Sequence, residues 1–97
     1  MTIKKLERMP YAQAHVEIDD DGAAYLFSYT TLVAGIDADG FCWCNGLYSM
    51  TTRKHIGAFA AEYAAPLCFA DFKQMFNDGC QINKDTGEVR FNSTEKG

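Results

Sequence analysis

Residues 48–56 read Tyr48-Ser49-Met50-Thr51-Thr52-Arg53-Lys54-His55-Ile56, and the chain changes character across them. Leading into them, residues 41–44 and 47–50 are strand-like, interrupted by Asn45-Gly46, a pair that marks either a hairpin or a bulge. After them, Ile56, Phe59, Ala60 and Tyr63 recur at helical spacing and form one apolar face. The stretch predicts a strand-to-helix switch in which Thr51 or Thr52 caps the free N–H groups. It also breaks a local rule: Arg53, Lys54 and His55 crowd the first turn, where the helix dipole already places partial positive charge.

Toward the C-terminus, Ala64-Ala65-Pro66 ends this helix, because Pro66 disfavours helical backbone at Ala65. A second helix is predicted over residues 67–77. It carries Phe69, Phe72 and Phe76 on one side with Met75 beside them, and Gly79 as a left-handed cap. Residues 80–83 and 88–91 flank Lys84-Asp85-Thr86-Gly87 and predict a hairpin. Toward the N-terminus, residues 12–18 alternate apolar and polar as a half-buried strand does, and Asp19-Asp20-Asp21-Gly22 reads as a turn. Residues 23–36 are too long for one ordinary strand. They divide into strands near 23–29 and 32–36, with a bend or bulge at Tyr29-Thr30-Thr31. Tyr25, Phe27 and Tyr29 share one face of the first of these, and Leu26 and Ser28 the other. The order predicts an α+β fold: an antiparallel β-meander, two short helices packed on one face, and a C-terminal β-hairpin. Residues 1–97 form one domain, with residues 1–10 and 92–97 read as tails, the first of them alternatively as an edge segment.

The bulk properties narrow the function classes. The net charge is −4 and the pI about 4.9, the reverse of a dedicated nucleic-acid binder. No stretch approaches the roughly 18 apolar residues of a membrane span. The first residues, Met1-Thr2-Ile3-Lys4-Lys5-Leu6, lack the apolar run of a signal peptide. A cytoplasmic setting is expected, with Cys42, Cys44, Cys68 and Cys80 as reduced thiols.

Four constellations invite chemistry. At Thr51–His55, free N–H groups, two hydroxyls and two permanent cations suit an anion or a partner's carboxylate, and Tyr48 adds a ring that could stack. The competing reading is a capped helix whose Arg53 and Lys54 point into water. The cysteines and histidines lack the paired spacing of a zinc knuckle, so no metal is expected. No local motif joins a thiol or hydroxyl to His15 or His55, and no Gly-rich phosphate loop is present, so neither catalysis nor a cofactor is expected. The row Tyr25, Phe27, Tyr29 is either a stacking platform or the ordinary cap of a sheet face.

Two segments carry a resemblance. Leu26-Phe27-Ser28-Tyr29-Thr30-Thr31-Leu32-Val33-Ala34-Gly35-Ile36 followed by Tyr48-Ser49-Met50-Thr51-Thr52-Arg53-Lys54-His55-Ile56 resembles a family of short bacteriophage and mobile-element proteins with no assigned activity. In that family a pattern S-Y-x-T-x-V-A is followed by Y-S-x-T-T-x-K-H-I and a helix. The resemblance implies an accessory protein of the bacterial host cytoplasm. The combined expectation is a non-enzymatic binding module that contacts a host or phage protein through Tyr29, Tyr48, Thr51, Thr52, Arg53, Lys54 and His55. The alternatives are a nucleic-acid-binding accessory protein using the cations of residues 51–55, and an enzyme using His55 and a thiol. Unpaired sheet edges make a homodimer a further expectation.

Overall fold

The computed structural model describes residues 1–91, and the tail expected at 92–97 lies outside the described residues. Seven strands form one antiparallel sheet: β1 (Thr2–Lys4), β2 (Ala14–Ile18), β3 (Ala24–Ser28), β4 (Thr31–Ile36), β5 (Phe41–Cys44), β6 (Cys80–Asn83) and β7 (Val89–Phe91). Their order in space is their order in the chain. Helices α1 (Met50–Tyr63) and α2 (Phe69–Asp78) are inserted between β5 and β6. The α+β class is therefore as expected, and the C-terminal hairpin extends the meander by pairing β6 with β5.

Alternation decides which face of the sheet the helices cover. Val16, Leu26, Ala34 and Cys42 point inward and join Ile56, Phe59, Ala60, Phe72 and Met75 in one core. Phe59 meets Phe72 edge-on at 6.1 Å. On α2, Phe72 and Met75 are buried, whereas Phe76, expected on the same face, is 43% exposed. Residues 1–10 include the edge strand β1 and Leu6, which is fully buried in the core. The backbone N–H groups of Glu7 and Arg8 donate to the Glu62 carboxylate on α1, at 2.8 Å each.

Three local readings change. Residues 23–36 form a β-hairpin whose Ser28 and Thr31 pair directly, leaving Tyr29-Thr30 as a two-residue loop. The bulge lies one step further in, where Leu26 faces Ala34 but Phe27 faces Leu32, so Val33 is the extra residue. Residues 45–48 are neither hairpin nor strand: β5 stops at Cys44, and the chain crosses directly into α1. The helix cap is Ser49, whose Oγ accepts from the Thr52 N–H at 3.1 Å, in place of Thr51 or Thr52. Because Ser49 starts the helix early, Arg53, Lys54 and His55 follow the first turn, and much of the expected conflict with the dipole disappears.

Candidate functional site

The strand-to-helix junction is held by hydroxyls. Ser28, at the inward end of β3, places its Oγ 2.8 Å from His55 Nδ1 and 3.1 Å from Thr52 Oγ1. Ser49 Oγ donates to Thr52 Oγ1 at 3.2 Å. Ser28, Thr52 and His55 are all at least 95% buried. Helical spacing explains why α1 contributes two of them, since residues three apart share a face. Each hydroxyl has one proton to give. With Ser49 donating to Thr52, the chain runs from Thr52 to Ser28 and from Ser28 to His55 Nδ1, and every hydroxyl donates once. His55 is then neutral, with its proton on Nε2. Burial pushes its pKa below the ordinary histidine value, in agreement with that assignment.

The junction residues thus separate into two groups. Thr52 and His55 are internal and tie α1 to β3. Tyr29, Tyr48 and Met50 are exposed at 55%, 64% and 72%. Thr51 and Lys54 are exposed and Arg53 is half-buried. Among the described residues, neither Arg53 nor Lys54 enters an ion pair. The Tyr48 ring lies against Gly46, where an added Cβ would stand 2.5 Å from it.

Tyr29 stands apart. It is the only non-glycine residue with positive φ among the described residues, at 58°. Two-residue hairpin loops normally fill such positions with Gly, Asn or Asp. A tyrosine there stores local strain, of order 1–2 kcal/mol. Its ring centroid is 6.1 Å from that of His55. It also lines a shallow concavity of about 450 Å³ with Ile3, Lys4, Lys5 and His15.

The geometry argues against the obvious hydrolytic reading of Ser28 beside His55. Among the described residues no carboxylate bonds the imidazole, the hydroxyl is 2% exposed, and neither residue lines a described cavity. Three of the four thiols are equally unsuited to attack, and the fourth, Cys68, is exposed. Cys42 is fully buried, and burial pushes its pKa up to about 12. Burial also raises Cys44 and Cys80. No group of three or more His, Cys, Asp or Glu side chains converges as a metal site among the described residues.

The model of a family of unknown function, DUF8033, matches residues 2–74. The chain belongs to this family. The matched span holds β1 to β5, α1 and the first part of α2, and so contains the whole Ser28–Thr52–His55 network. No curated protein and no solved structure matches the chain. Among the described residues, no helix is long and apolar enough to cross a membrane.

Sequence reasoning named Thr52 and His55 but missed Ser28 and Ser49 as their partners. A signal was present. Ser28 alternates with Leu26 on the face that meets the helices, and a hydroxyl at an apolar position must find a bond.

Proposed function

We propose that the protein is a non-enzymatic binding module whose junction surface, centred on Tyr29, meets a partner protein. The observation that carries this reading is the strained, exposed tyrosine. Backbone strain that stability does not require marks a residue kept for another task. Tyr48 and Met50 extend the apolar surface of the junction, while Lys4, Lys5, Arg53 and Lys54 supply positive charge. That combination suits an acidic protein surface with an apolar centre. The net charge of −4 disfavours duplex nucleic acid, whose binding rests on neutralising phosphates. The resemblance to short phage proteins supports an accessory role in the bacterial cytoplasm, where the partner is a host or phage protein.

The test pairs two variants. Tyr29→Asn suits the left-handed backbone and should leave the Tm unchanged or raised, while affinity for a partner captured from bacterial lysate, then purified, falls at least tenfold. The double reversal Arg53→Glu/Lys54→Glu should also weaken capture without unfolding the chain. Equal capture by wild type and both variants refutes the reading. Salt-dependent binding to DNA or RNA that the double reversal abolishes replaces it with the nucleic-acid alternative.

A further inference from the structure

The face of the sheet away from the helices has its own organisation. Register places Glu17, Tyr25, Gly35 and Trp43 in one row across β2, β3, β4 and β5. Gly35 is the only one of the four without a side chain, and the indole of Trp43 lies down over it. A Cβ at residue 35 would stand 2.2 Å from the Trp43 ring. The indole reaches Tyr25, with ring centroids 6.3 Å apart. In the neighbouring row, His15 and Phe27 stack at 4.9 Å with nearly parallel planes. A cleft of about 340 Å³ opens beside Trp43, bordered by Asn45 and Gln81.

Carboxylates surround this aromatic floor. Glu17 ends the row, and Asp19 accepts a hydrogen bond from the Tyr25 hydroxyl at 3.2 Å. Asp37 lies where β4 turns into β5. The Tyr25 phenol is pushed above its ordinary pKa, first by the bond to Asp19, then by burial and by the charges of Asp19, Asp21 and Asp37. The face also shows how it holds a cation. Arg90 lays its guanidinium 3.8 Å from the centre of the Phe41 ring and pairs with Asp37 at 3.0 Å.

We infer that the Trp43–Tyr25 floor docks an arginine-bearing segment of a partner protein, with a guanidinium stacked on Trp43 and balanced by Glu17 and Asp19. Charge complementarity selects this occupant. An anionic strand would meet the same carboxylates as repulsion, and a wholly apolar one would strip water from their charges and offer no countercharge. Arginine suits the site better than lysine because its planar group stacks on a ring while bonding carboxylates at its edge. This surface adjoins the junction around Tyr29 at His15 but is tested with different probes and variants, so the two readings stand or fall independently.

Trp43 is the chain's single tryptophan and reports its own occupancy. Hexa-arginine, hexalysine and hexaglutamate peptides are titrated at pH 8 and low salt, with emission read at each step. Hexa-arginine should give a saturable change, hexalysine one at least threefold weaker, and hexaglutamate none. Glu17 Oε2 lies 2.9 Å from His15 Nε2, and Glu17→Gln, which keeps an acceptor there without the charge, should weaken hexa-arginine at least threefold. Asp78→Asn, the same charge change at the end of α2, should leave it within twofold. No saturable response, equal response to the two cationic peptides, or equal loss in both variants overturns the inference. So does a stronger response to an oligonucleotide, or one to protein concentration alone, which would assign the face to nucleic acid or to a second copy.

Discussion

At the scale of single residues, His55 makes the fold sensitive to acid. Its folded pKa lies below the unfolded value of about 6.5 because the buried ring resists charge. The unfolded chain therefore binds more protons as pH falls, and stability drops with it. The contribution is complete above about pH 6.5 and is lost progressively as pH falls from there toward the folded pKa. Urea denaturation at pH 7.5 and 5.5 should show this loss in wild type. His55→Asn, which cannot protonate, should have a smaller slope even though it is less stable overall. Ser28 offers a second test, since its Oγ meets both Thr52 and His55. Ser28→Ala leaves buried His55 Nδ1 without its donor and Thr52 Oγ1 with Ser49 alone, and should cost about 2–3 kcal/mol by denaturant titration. Ser49→Ala removes the cap of α1 and should cost about 1 kcal/mol.

At the scale of elements, two glycines let an aromatic ring come close. Gly46 accommodates the Tyr48 ring, and Gly35 accommodates Trp43. Gly35→Ala forces the indole upward and also brings its Cβ 2.9 Å from the Ala24 carbonyl oxygen, which is backbone and yields little. The expected outcome is a destabilisation of about 1–3 kcal/mol, with Trp43 emission shifted to the red as the ring enters water. What could be read from the chain beforehand follows the same logic. Strand alternation and helical spacing are local, so β2, β3, both helices and the final hairpin were legible to within a few residues. The cap at Ser49 was not, because three hydroxyls in four residues compete for the same N–H and the winner depends on where β5 ends. Nor was the partnership of Ser28 with His55, which are 27 positions apart and meet only when α1 lies on β3. The lone glycine inside β4 did signal a close approach, but only the register across to β5 names Trp43 as the neighbour.

At the scale of the whole molecule, helices on one face and an aromatic, acid-rimmed layer on the other give a sheet with two unlike sides. The arrangement has a kinetic corollary. Because spatial order repeats chain order, most strand pairings close over short connections. The union of β5 with β6 is the exception, since both helices intervene. Closing that gap carries the largest entropic cost and comes late. Substitutions that weaken β6, such as Ile82→Ala, should therefore accelerate unfolding in stopped-flow experiments and barely slow folding. Changes of similar cost in β3, such as Leu26→Ala, should slow folding itself.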